Sequence, residues 1–233
     1  MKKSDETLSV CEIFRSIAGE TTHAGRPAVF VRLAGCNLAC RFCDTGYARS
    51  GGQVLGLSKV LAWVRRAGEP LVVVTGGEPL LQPGTGRLLR ALRRDGREVL
   101  LETNGSLDLG VVPRGVRVIL DVKCPGSGES RRNRRANLAR LRPGDELKFV
   151  ISDRRDFAWA LRLLSRTRLP RGVAILFSPV QPDLPPGRLA EWMLGARLPP
   201  HSRLQIQLHR ALWPAGGDGD ILWRAHAPGR TGK

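Results

Sequence analysis

Short apolar runs alternate with segments of helical period along most of this sequence, and that alternation leaves few architectures open. Val29–Leu33, Leu71–Val74, Glu98–Leu101, Val116–Leu120, Glu146–Ile151, Gly172–Phe177 and Arg203–Leu208 read as strands. Ser58–Ala67 reads as a helix with Ser58 as N-cap and Gly68 as C-cap; Gly86–Asp95 reads as another, with Leu88, Leu89 and Leu92 on one face and Gly96 closing it. Further helices are expected at the arginine-rich segment 131–142, at Asp156–Arg166 and near Arg188–Leu194. Strands joined through helices build right-handed βαβ units, hence a mainly parallel α/β sheet: open and doubly wound, or a complete or partial barrel. The 233 residues fit one such core. We read residues 1–213 as a single domain and 214–233, rich in Gly and Pro, as a poorly ordered tail.

In such folds reactive groups gather beyond the carboxyl ends of the strands, where the loops converge. This chain puts polar residues there repeatedly. Cys36 follows the first strand, Thr75-Gly76-Gly77-Glu78 the second and Glu102-Thr103-Asn104 the third; Asp121 and Lys123 follow the fourth, Ser178 the sixth and His209 the last. One functional mouth is expected at that end.

Composition narrows the partners. Hydrophobic residues are 42% and charged residues 25% of the chain, as in ordinary folded domains and unlike disordered ones. No apolar run approaches the ~18 residues of a spanning helix, and Met1–Glu6 lacks the apolar stretch of a secretory leader, so a cytoplasmic location and no membrane partner are expected. The formal charge is +17, but 32 of the 38 basic residues are arginine, which points to a coding bias as much as to a binding surface. The densest run, Arg131, Arg132, Arg134, Arg135, Arg140 and Arg142, reads first as a solvated helix face and second as an anion-binding stripe.

Cys36, Cys40 and Cys43 form a CxxxCxxC loop that lets three thiols converge on one metal centre. Five cysteines, an odd number with three clustered, argue against a disulfide framework. A structural zinc site wants four nitrogen or sulfur ligands, and no fourth lies near this loop in sequence, although His23, Cys11, Cys124 or His209 could arrive by folding. A [4Fe–4S] cluster held by three cysteines instead keeps one iron open for a cofactor. A basic, zinc-stapled nucleic-acid module is the reading from another class, against which stands an aromatic content of 5% with one tyrosine.

This loop, with Phe42 before the third cysteine, resembles the cluster loop of radical S-adenosylmethionine enzymes, and Thr75-Gly76-Gly77-Glu78-Pro79 resembles the segment that in that superfamily contacts the cofactor's methionine amino group. Physically, an exposed backbone with one carboxylate suits an ammonium. The likeness sharpens to the 7-carboxy-7-deazaguanine synthase family through Glu12–Glu20 (EIFRSIAGE) and Gly25–Leu38 (GRPAVFVRLAGCNL). It continues through Cys43-Asp44-Thr45, Glu102–Ser106, Asp121–Gly128, Glu146–Val150, Phe177–Val180 and Gln205–Arg210. The resemblance implies an abridged βα barrel of the TIM type, a homodimer, and conversion of 6-carboxy-5,6,7,8-tetrahydropterin to 7-carboxy-7-deazaguanine with loss of ammonia, in queuosine and 7-deazapurine biosynthesis. It also implies a [4Fe–4S] cluster, S-adenosyl-L-methionine, Mg²⁺ and an electron donor such as flavodoxin or ferredoxin. A glycyl-radical activating enzyme shares the cysteine and Gly-Gly-Glu segments but acts on a protein, and Ser16–Glu20 argues against it.

By the same resemblance Cys36, Cys40 and Cys43 hold the cluster, and Phe42, Cys43, Asp44, Gly77, Lys123, Ser178, Pro179 and Val180 hold S-adenosylmethionine. Thr45 gives an oxygen to Mg²⁺, while Ile17, Gly19, Glu20, Arg32, Thr75, Glu102, Asn104 and His209 meet the substrate. Arg32 has a physical rationale: an arginine pointing inward from an apolar strand is costly unless it meets an anion, which a pterin carboxylate supplies. Glu20 suits the paired N–H donors of the pterin edge. Three departures stand out: Ala18 replaces the usual glutamine, Cys124 occupies a small-residue position and reads as packing rather than ligation, and nineteen residues follow Pro214.

Overall fold

The computed structural model describes residues 6–213 and 220–225. In chain order the strands are β1 Thr7–Ile17, β2 Pro27–Leu33, β3 Gln53–Gly56, β4 Leu71–Gly76, β5 Glu98–Thr103, β6 Val116–Val122, β7 Glu146–Ile151, β8 Ala174–Pro179, β9 Ser202–Leu204 and β10 Asp220–Arg224. The helices are α1 Leu57–Ala67, α2 Thr85–Arg94, α3 Arg154–Ser165, α4 Pro186–Leu194 and α5 Leu208–Leu212. All ten strands join one sheet in the order β10-β1-β2-β4-β5-β6-β7-β8-β9, with β3 on β1. β2 and β4 to β9 run parallel; β1 is antiparallel to β2, β3 and β10.

Alternation along the parallel strands sorts two layers. Val29, Val31 and Leu33, then Val72 and Val74, Val99 and Leu101, and Leu147, Phe149 and Ile151 face outward into the core beneath the helices. Ala28, Phe30, Leu71, Val73, Leu100 and Ile119 form a second cluster on the concave face. α1 presents Val60, Leu61 and Val64 to the outer core and ends on Gly68 in the left-handed conformation. Its N-cap is Gly56, two residues before the expected Ser58. No described helix is long and apolar enough to cross a membrane.

β9 and β10 do not pair with each other, so the sheet is an incomplete barrel, as the abridged barrel was expected to be. The β1–β2 loop lies beneath it, at the N-terminal ends of the parallel strands. Thr22 donates through its backbone N at 3.0 Å and its Oγ1 at 2.5 Å to Glu146 of β7, Gln205 Nε2 donates to Thr21 O at 3.3 Å, and Leu208 N donates to Gly19 O at 2.9 Å.

Several elements depart from the sequence expectation. β1 was not foreseen because it is buried on both faces between β2 and β10, and the charges of Glu12 and Arg15 interrupt its apolar run. Segment 131–142 is not a helix: it forms 3-10 turns at Ser130–Arg132 and Arg135–Arg140. Asn133 Nδ2 donates to Lys123 O and Ser130 O, both at 2.8 Å, and Asn137 Nδ2 donates to Gly105 O at 2.9 Å and Leu107 O at 2.7 Å. Side-chain amides thus satisfy backbone groups, and a helix has nothing to add. The last parallel strand is only Ser202–Leu204, and His209 lies in α5 rather than at a strand end. Of the segment 214–233, expected as a tail, Asp220–Arg224 forms β10 on β1; the rest, save Ala225, lies outside the described residues.

Candidate active site

The cysteine loop leaves β2 at Gly35, which has a φ of 93°, and two glycines let β4 come against it. Gly77 N donates to Leu33 O at 3.0 Å and Glu78 N to Gly35 O at 2.8 Å. A Cβ on Gly77 would lie 2.2 Å from Gly35 O and 2.8 Å from Cys36 Cβ, so only glycine fits. Glu78 is fully buried and accepts from Leu80 N at 2.9 Å, Thr103 Oγ1 at 2.8 Å and Asn104 N at 2.7 Å. Burial pushes its carboxyl up against the pull of those hydrogen bonds. The carboxylate expected at a ligand ammonium is therefore spent on joining the ends of β4 and β5.

Cys36, Cys40 and Cys43 are free thiols on the wall of one cavity of about 340 Å³. Cys36 and Cys40 are half-buried and Cys43 is exposed. Asn104 Nδ2 approaches Cys36 Sγ at 3.9 Å, and burial pushes the Cys40 thiol up against the pull of Lys123. No three His, Cys, Asp or Glu side chains among the described residues gather closely enough around one point to hold a single metal ion. Mononuclear zinc needs its ligands to meet one atom, whereas in a cubane each thiol binds a different iron. Cys11 and Cys124 are buried elsewhere, and burial raises both thiols, most strongly Cys124; they are packing residues, as read for Cys124.

In the same cavity, inward positions of successive strands bring charged side chains together with the apolar Phe30, Val73, Leu100 and Ile119. Arg32 pairs in register with Thr75, and Asp121 with Lys148. Thr75 Oγ1 donates to Glu102 Oε2 at 2.8 Å, and Lys123 Nζ lies 3.0 Å from Asp121 Oδ2. Lys148 forms a very close ion pair with Glu20, whose other oxygen accepts from Gln207 Nε2 at 2.7 Å; the same amide reaches Asp44 Oδ2 at 3.1 Å, and Thr45 Oγ1 donates to Asp44 Oδ1 at 2.8 Å. Burial and the nearby Glu20 charge raise the Glu102 carboxyl. Burial works against the Lys148 ammonium, but Glu20, Asp121 and Glu102 raise it overall. Asp44 is pushed up by burial yet held below the usual range by the Thr45 hydroxyl, Lys148 and Gln207.

Glu20, Arg32, Asp44, Thr45, Thr75, Gly77, Glu102, Asn104 and Lys123 thus line the same cavity as the three thiols. Ile17, Gly19 and Phe42 are not among the residues that line it, while Ser178, Pro179 and Val180 are buried at and just after the end of β8. Arg32 is not the unpaired inward charge it was read as: its Nε donates to Glu12 Oε1 at 2.8 Å, an oxygen that also accepts from Tyr47 OH at 2.8 Å. Glu12, Tyr47, Gln207 and Lys148 were missed by sequence reasoning. Lys148 alone had a local signal, the inward alternation of Glu146 and Lys148 against Leu147 and Phe149. Glu12 lay in a strand that was not recognised.

The partial barrel and its thiol-lined mouth define a radical S-adenosylmethionine domain, and the sequence profile described as the radical SAM superfamily matches residues 31–125. The 7-carboxy-7-deazaguanine synthase of Chlorobaculum tepidum is 43% identical over 213 residues, covering 90% of this chain and 96% of the relative. That of Koribacter versatilis is 40% identical over 225 residues, covering 88% and 97%. The chain belongs to the 7-carboxy-7-deazaguanine synthase family, which implies a [4Fe–4S] cluster and S-adenosyl-L-methionine as cofactors. The crystal structure of QueE from Escherichia coli shares the fold at a TM-score of 0.72 and 24% identity, over 87% of this chain and 95% of that one.

Proposed function

We propose that this protein is a lyase that converts 6-carboxy-5,6,7,8-tetrahydropterin to 7-carboxy-7-deazaguanine with loss of ammonia, a step of queuosine and 7-deazapurine biosynthesis. The observation that carries the reading is that one cavity of about 340 Å³ is lined by three thiols together with Arg32, Glu20 and Glu102. A cavity of that volume has room for a bicyclic small molecule. Cys36, Cys40 and Cys43 would hold the cluster, which would supply the electron for radical chemistry on S-adenosylmethionine.

The chain's own residues bind and orient. Arg32 receives the substrate carboxylate, and Glu20, held by Lys148 and Gln207, accepts from the N–H edge of the pterin. Thr75, Glu102 and Asn104 line the ring plane, with Ile17, Gly19 and His209 completing the substrate side. Asn104 also stands beside Cys36, where an N–H donor tunes a thiolate. Asp44, Gly77 and Lys123, backed by Phe42, Cys43, Ser178, Pro179 and Val180, hold S-adenosylmethionine. Thr45 and its neighbour Asp44 are hard oxygen donors that suit Mg²⁺. We assign a homodimer, a flavodoxin- or ferredoxin-type electron donor, no required nucleic acid and a cytoplasmic location, where five unpaired thiols stay reduced.

The test is anaerobic reconstitution with iron and sulfide, then dithionite, S-adenosylmethionine, Mg²⁺ and 6-carboxytetrahydropterin, with products identified by mass spectrometry. A mass matching 7-carboxy-7-deazaguanine is expected. Formation of 5′-deoxyadenosine without that product would retain the radical machinery and reject the substrate. Failure to take up a cluster would reject both.

A further inference from the structure

β10 brings a second guanidinium to the back of the site. Arg224 donates through Nε to Glu12 Oε2 at 2.9 Å, and a terminal nitrogen lies 2.8 Å from the same oxygen. Glu12 is 1% exposed, and its other oxygen accepts from Arg32 Nε and Tyr47 OH. One buried carboxylate therefore sits between two guanidiniums, Arg32 on the cavity wall and Arg224 outside it. Arg32 spends its Nε on Glu12 and packs 5.3 Å from the Phe14 ring, while its terminal nitrogens have no hydrogen-bond partner among the described residues.

The charge balance decides what Arg32 can do. Arg32 and Glu12 alone make a neutral pair, and an anion meeting Arg32 is repelled by the carboxylate just behind it. Arg224 offsets that charge, leaves the triad at +1 and engages the oxygen that Arg32 does not use. We propose that Arg224, on the C-terminal strand, is a positioning residue that keeps Arg32 available for a carboxylate ligand, so that this segment sets the enzyme's preference for a carboxylated pterin. The inference rests on the assignment of Arg32 to the substrate carboxylate under the proposed function. Because Arg224 is half-exposed, solvent screens its effect, and a change of roughly fivefold is expected rather than abolition.

The test uses the full chain with its cluster reconstituted, under anaerobic conditions and with S-adenosylmethionine present. Dissociation constants are measured for 6-carboxytetrahydropterin and for tetrahydropterin lacking the carboxylate. Wild-type protein should prefer the carboxylated ligand. Arg224→Gln should weaken that ligand roughly fivefold and leave the other unchanged, whereas Arg224→Lys, which restores the charge, should retain most of the wild-type preference. Equal weakening of both ligands, or an unchanged preference in Arg224→Gln, would overturn the proposal. A wild-type protein with no preference would reject the assignment of Arg32 itself, and the proposal with it. Should Arg224→Gln melt early, Arg224→Lys decides alone: loss of preference in that folded, charged variant overturns the charge account.

Discussion

At the scale of single residues, charges in this site are held in compensating sets. Lys148 is nearly buried, paired with Glu20 and flanked by Glu102 and Asp121, so one ammonium faces three acids, of which Asp121 also has Lys123 at 3.0 Å. Lys148→Met would leave Glu20 buried without its cation, a change worth about 3 kcal/mol of stability by urea unfolding. Part of that loss should return in the double variant with Glu20→Gln, because the uncompensated charge is then gone. Lys148→Met should also raise KM for the pterin at least tenfold, ~1.4 kcal/mol of binding, as Glu20 loses its anchor. The inward-facing side of β7 was legible in its alternation, but the partner of Lys148 was not, because Glu20 lies 128 residues away in the chain.

At the scale of elements, glycines and asparagines shape the mouth more than helix propensity does. Gly77→Ala should displace the Cys36 loop rather than unfold the sheet, since the added Cβ meets Gly35 O and Cys36 Cβ. The expected outcome is iron content per chain well below wild type after reconstitution, with the far-ultraviolet circular dichroism unchanged. Asn137 is fully buried and, besides its two donated bonds, accepts from Leu109 N at 3.2 Å. Asn137→Ala strands these backbone groups and should cost about 2 kcal/mol, read as a lower urea midpoint. The glycines were visible in sequence as a turn, and their purpose as a close approach was not. The arginine run misled because its charges resemble a helix face, whereas Asn133 and Asn137, spaced four apart, mark backbone-capping turns.

At the scale of the whole molecule, an incomplete barrel is closed from beneath by the β1–β2 loop, and ion pairs hold that closure. Arg26 donates to Glu98 Oε2 at 2.7 Å, and His23 Nε2 lies 3.0 Å from Glu98 Oε1. The Arg26 hydrogen bond, against some desolvation and with help from His23, holds the Glu98 carboxyl at about 2 in place of 4.5. A carboxyl depressed in the folded state adds stability above its unfolded value and loses it on protonation. The wild-type protein should therefore lose stability as pH falls from about 4.5 to about 2, and Glu98→Gln should flatten that part of the profile, measured by urea midpoints across the range.

Local pattern alone determined the class of this molecule. The short apolar runs separated by helical segments, the CxxxCxxC loop and the paired glycines each act on near neighbours, so together they point to a parallel α/β sheet with a thiol-lined mouth. The tertiary structure decided which charges compensate which. Glu12 meets Arg224 across 212 positions, and the loop that closes the barrel reaches Glu146 across 124. Such pairs depend on which strands become neighbours, and a buried carboxylate looks the same in sequence whether its cation lies four residues away or at the other end of the chain.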